Sequence, residues 1–170
     1  MRRSLPLWLV GALFAACAAR PPSAEQSEAE HFELERLLER TPAEKPAPGR
    51  SVRLAFGAGA DLDLYVTDSS QETVYFGNTP RHDGGELLRD LRCDDPSPRI
   101  EEVELPQEPA GWLRVGVDAP EACDSGIDLV PFVVEVRAGA ERWLERGVAR
   151  PGRFEVRVLE VDTHTSARSR

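Results

Sequence analysis

The rhythm of hydrophobic and polar positions changes three times along the chain. Behind Arg2 and Arg3, Leu5 to Ala16 form an apolar run broken only by Pro6 and Gly11, which ends at Cys17. From Ser23 to Arg40 the spacing becomes helical, with Phe32, Leu34, Leu37 and Leu38 as a weak stripe that stops before Pro42. From Arg50 onward the period is two. Val52, Leu54 and Phe56 alternate with polar residues, as do Leu62, Leu64 and Val66.

Further β-prone runs follow at Thr73 to Phe76, Glu101 to Leu105, Trp112 to Val117, Phe132 to Val136, Arg142 to Val148 and Phe154 to Val161. In the Trp112 run either Trp112 or Leu113 belongs to the core face. Gly, Pro and Asp turns separate the runs, and no long helical pattern interrupts residues 50–162. This predicts an all-β, antiparallel sandwich of about 7–8 short strands. A short helix in a flexible tether precedes it, because an isolated helix of this length is barely stable and prolines flank it. The expected organisation is a signal peptide at 1–16, a tether at 17–49, the sandwich at 50–162 and a disordered tail at 163–170.

The first apolar run has the layout of a secretory signal and is shorter than the roughly 20 residues of a membrane span. Small Ala15 and Ala16 before Cys17 resemble the bacterial lipobox, in which the cysteine is lipidated and becomes the mature N-terminus. Ordinary cleavage at Ala15-Ala16-Cys17 or Ala16-Cys17-Ala18 is the other reading. The expected address is the bacterial cell envelope, with the membrane reached through a lipid anchor.

Two cysteines remain, Cys93 and Cys123. Each is flanked by carboxylates and no histidine, which favours a disulfide over a metal site. Such a bridge closes a loop of about 30 residues and restricts the unfolded chain by roughly 3–4 kcal/mol in the entropic view. The 170 residues carry 21 Lys+Arg against 30 Asp+Glu, a net charge of −9. Loss of Arg2 and Arg3 with a signal leaves 19 basic residues against 30 acidic ones, near −11. That surface repels nucleic acid and suits cations or basic partners, or serves solubility alone.

The most distinctive stretch is Asp61-Leu62-Asp63-Leu64-Tyr65-Val66. On a strand, Asp61 and Asp63 share one face while the leucines take the other. Adjacent carboxylates repel unless a cation or donor lies between them. They are therefore candidate calcium ligands, with Asp83, Asp90 and the carbonyls around Gly84-Gly85 completing a set of six to eight oxygens. A solvated strand edge is the plainer reading.

The same stretch, followed by Glu72, Tyr75-Phe76, Asn78, Gly84-Gly85-x-Leu87 and Asp90, resembles a bacterial β-sandwich domain akin to the pre-peptidase C-terminal modules of secreted proteins. Pro109-Ala110-Gly111-Trp112-Leu113-Arg114-Val115 is similar to that group's Pro-Gly-aromatic-x-Val strand. The resemblance spans residues 51–162. It implies a non-catalytic accessory or binding module, sometimes calcium-stabilised. Two positions depart from the pattern: Asp68-Ser69-Ser70-Gln71 replaces a Pro-Gly turn, and Leu88 stands where an acidic ligand is expected.

Enzyme signatures are missing from the sequence. His31, His82 and His164 are scattered, and no metalloprotease, nucleophile-elbow or phosphate-loop motif occurs. His82 beside Asp83 fits a solvated turn better than a base with its orienting acid. Trp112 and Trp143 are expected to fill or rim the core, and an exposed Trp143 would instead anchor a protein or carbohydrate ligand. The functional expectation is a non-enzymatic interaction module. The alternatives are a structural or assembly lipoprotein without ligand, and an envelope hydrolase built on an unrecognised carboxylate pair.

Overall fold

A computed structural model describes residues 24–44, 49–96, 98–106 and 111–163. One helix, α1 (Ala24–Arg40), precedes nine strands: β1 (Arg50–Phe56), β2 (Ala60–Asp68), β3 (Thr73–Val74), β4 (Glu86–Leu87), β5 (Ile100–Leu105), β6 (Trp112–Ala122), β7 (Val130–Ala138), β8 (Glu141–Ala149) and β9 (Arg153–Asp162). They form two antiparallel sheets, β4-β5-β1-β7-β8 and β3-β2-β6-β9. The all-β sandwich is thus the architecture. The one strand beyond the eight runs read from the sequence is two-residue β4, too short to show a period; β3 falls within the Thr73 to Phe76 run.

The alternation read from the sequence fills the space between the sheets. Val52, Leu54 and Phe56 of β1 and Phe132, Val134 and Val136 of β7 meet Leu62, Leu64, Leu113 and Val115 there. Leu113, not Trp112, is the inward residue of β6. Trp112 lies on the outer face, with the Arg114 guanidinium 5.3 Å from its ring centroid. At the β7–β8 pair Phe132 faces Gly147, where a β-carbon would overlap the Phe132 ring. Only glycine leaves room for that side chain.

The helix is docked on the sandwich rather than held in a free spacer. Leu34 and Leu38 bury against Ala55, Ile100 and Val133 on the outer face of the five-stranded sheet. Burying each leucine stabilises by about 1.5–3 kcal/mol, enough to rescue a helix that is marginal alone. The stripe differs from the one read in sequence: Phe32 is 54% exposed, and buried His31 takes its place, donating from Nε2 to the Gly147 carbonyl at 2.8 Å. Arg146 pairs with Glu28 and Glu35 at the same joint.

The helix C-terminus ends on a buried arginine. Arg53 of β1 donates to the carbonyls of Leu38 (3.0 Å) and Thr41 (2.7 Å), which lack partners within the helix. The same guanidinium pairs with Glu135 at 3.3 Å and Glu102 at 3.6 Å. Next to the last strand Thr163 bonds both ways with the backbone of Gly111. Cys17 and residues 164–170 lie outside the described residues.

Candidate functional site

One lateral seam of the sandwich, where β2 of one sheet stacks on β5 of the other, carries an unusual concentration of acid. In β5, Ile100, Glu102 and Glu104 take the helix side, so Glu101 points inward with Val103 and Leu105. The Glu101 side chain is only 1% exposed. Its Oε2 accepts the backbone N–H of Leu64 at 2.8 Å and its Oε1 that of Leu91 at 3.0 Å. These amides belong to the stretch of β2 that β3 does not reach and to the segment closing the seam. The carboxylate therefore substitutes for a missing strand.

Asp63 and Asp90 join it. One carboxylate oxygen from each of Asp63, Asp90 and Glu101 lies within 4.8 Å of the others. Asp61 sits one step back along β2, across a bulge in the β2–β6 pairing. Asp61 and Asp63 are each 8% exposed, and Asp61 Oδ1 has no hydrogen-bond partner. Burial and neighbouring charge hold the protons on. Desolvation, then the carboxylates of Asp61, Asp90 and Asp118, pushes Asp63 up to about 7. Desolvation outweighs the two amide bonds at Glu101 and pushes it up to about 8. Asp61 is raised by desolvation and by Asp90 and Glu121. Arg92 reaches the outer oxygen of Asp90 at 3.3 Å.

The segment bearing Asp90 and Leu91 is pinned by the disulfide. Cys93 is bonded to Cys123 with Cα atoms 5.2 Å apart, as the sequence suggested. Cys123 follows β6 and donates its N–H to Gly59, just before β2. Buried Arg99 ties the same segment down, donating to the carbonyls of Ala60 (3.0 Å), Arg92 (2.8 Å) and Cys93 (2.6 Å).

Of the four residues singled out as calcium ligands, the structure brings Asp63 and Asp90 together, with Asp61 beside them. Asp83 is placed elsewhere. Its carboxylate is held by Arg81, whose guanidinium also binds Asp68 Oδ2 at 3.0 Å and the Glu72 carbonyl at 3.1 Å. Glu101 was missed, although its place two residues before Val103 in an alternating strand put it on the core face. Trp143 is half-buried and packs against the main core, at the rim. His82 is exposed on its turn.

No helix among the described residues is long and apolar enough to cross a membrane. No family model, curated protein or solved structure matches the chain.

Proposed function

We propose that this chain is an exported, lipid-anchored, non-enzymatic interaction module whose sandwich is locked along one seam by calcium. The observation that carries the metal is the acid at that seam: buried Asp63 and Glu101 converge with exposed Asp90, and Asp61 Oδ1 is buried beside them without a partner. Leaving a buried carboxylate oxygen unsatisfied costs about 1–3 kcal/mol or more, and a hard cation removes that cost while cancelling the repulsion. The four carboxylates supply charge, and carbonyls or water complete the shell of a flexible site. Calcium tolerates such irregular geometry better than magnesium does.

Several features support a binding role over catalysis. Glu101 is fixed by two backbone amides and shielded from solvent, which suits a structural ligand better than a catalytic acid. His31 is spent on the helix joint, and Asp83 next to His82 is held by Arg81. The likeness to pre-peptidase C-terminal modules, carried by short motifs, agrees with an accessory role. The Cys93–Cys123 bond suits an oxidising compartment and leaves Cys17 as the third cysteine, available for lipid.

Thermal melting in millimolar calcium against chelator tests the seam: the reading requires a higher melting temperature with calcium, lost in Asp63→Asn, and equal curves refute it. Mass spectrometry of the protein from its own envelope tests the anchor. A diacylglycerol adduct on Cys17 is expected, and an unmodified Cys17 rules the anchor out.

A further inference from the structure

The two outer faces of the sandwich are finished differently. That of the five-stranded sheet is covered by α1; over that of the four-stranded sheet no element lies among the described residues. Four aromatic rings gather on this bare face. Tyr65 of β2 stacks on Tyr75 with centroids 5.0 Å apart and planes 14° from parallel. It meets Phe154 of β9 edge-on at 4.9 Å and Phe76 at 6.4 Å. Phe76 also lies 5.4 Å from Tyr75, nearly perpendicular. Gly116 stands opposite Tyr65 in the β2–β6 register, which lets the ring lie across the sheet toward Phe154.

Phe76 and Phe154 remain 49% and 48% exposed. Single exposed apolar residues are ordinary, but four rings in mutual contact on an uncovered sheet form a patch of the kind that marks association. We infer that this face docks a protein segment carrying basic residues beside apolar ones, an inference that deepens the reading of the chain as an interaction module.

The ring geometry suits apolar side chains. The faces of Tyr65 and Tyr75 are turned on each other, and the remaining rings stand at 62° to 84° to their neighbours. Rings packed edge-on leave clefts between them into which apolar side chains fit. The charge selects a basic segment. Asp118 lies directly across from Phe154 in the β6–β9 register, so a carboxylate outside the seam borders the rings. Arg114, on the same face, is already paired with Glu160. A second copy of this chain, at net charge −9, would set acid against acid.

The test uses the full chain and two labelled synthetic dodecapeptides, one alternating leucine with lysine and one alternating leucine with glutamate, followed by fluorescence anisotropy. The lysine peptide is expected to bind and the glutamate peptide not to. Phe76→Ser with Phe154→Ser should weaken binding by about tenfold or more, and Asp118→Asn by about threefold. Both phenylalanines are half exposed, so an unchanged melting temperature confirms that the variant is folded. Equal binding of the lysine peptide to the double variant overturns the proposal, as does binding of both peptides alike. Sedimentation showing a dimer that Phe154→Ser dissolves assigns the face to a second copy and also overturns it. Repeating the titration in chelator separates this outcome from that of the calcium seam.

Discussion

Glu101, on a strand of the five-stranded sheet, accepts the backbone N–H of Leu64 from the four-stranded sheet at 2.8 Å. One side chain thus joins two sheets that share no strand pairing among the described residues. Its second oxygen takes Leu91 from the closing segment, so both acceptors are in use. Glu101→Gln keeps the shape but offers one acceptor oxygen where the two amides need two. We expect a loss of about 1–3 kcal/mol in chemical denaturation, and more for Glu101→Ala, which also opens a cavity. An unchanged midpoint for Glu101→Gln would show that the bridge is incidental.

The seam fixes the sign of the pH dependence. Asp63, at about 7, and Glu101, at about 8, are raised above their unfolded values near 4, so folding takes up protons at both. Their contribution is complete below about pH 4 and is lost as pH rises through 7 and 8. Asp68, lowered by Ser70 and Arg81 against its own desolvation, acts in the opposite sense at the acid end. Without calcium the melting temperature should therefore fall between pH 5.5 and 8.5. Asp63→Asn should flatten that fall, and a melting temperature that rises over this range contradicts the assignment.

The disulfide is coupled by geometry to the proposed metal site, because Cys93 anchors the segment that delivers Asp90 and Leu91. Cys93→Ser with Cys123→Ser should lower stability by about 2–5 kcal/mol. It should also weaken calcium binding, even at a temperature where the variant is still folded. Retention of full calcium affinity would show that Asp90 is held in place by other contacts, such as those of Arg99.

At the opposite face, Arg53 closes the helix C-terminus and neutralises Glu102 and Glu135 in the interior. Arg53→Met strands these acids and the carbonyls of Leu38 and Thr41, at a cost of about 3–5 kcal/mol. Glu135 keeps Arg137 and Arg142, so the damage should centre on Glu102 and the helix. Hydrogen exchange should show α1 losing protection before the strands do. Uniform loss across both would mean that the helix is not a separable layer.

Much of this was legible in the chain. Period-two runs such as Val52, Leu54 and Phe56 name their core residues outright, since one face of each strand is buried. The pairing of Cys93 with Cys123 followed from their isolation from histidine. Other features were hidden because tertiary partners decide them. The weak stripe of α1 gave no sign that Ala55, Ile100 and Val133, on three different strands, would accept it. Asp83 looked like a ligand beside its glycines, but Arg81 two residues earlier claims it. Glu101 was legible in principle from Val103 and Leu105, yet an acid on a core face runs against the hydrophobic pattern. Tyr65 and Phe154 meet only once β2 and β9 flank β6.

We propose that the seam is a calcium site built from carboxylates that hold protons when no metal is bound. Calorimetric titration of calcium at pH 7, in two buffers of different ionisation enthalpy, reads ion and proton together. One ion per chain should bind with release of about one proton or more, and Asp63→Asn should abolish the binding. No binding heat in either buffer, or binding that survives in Asp63→Asn without proton release, would contradict the claim.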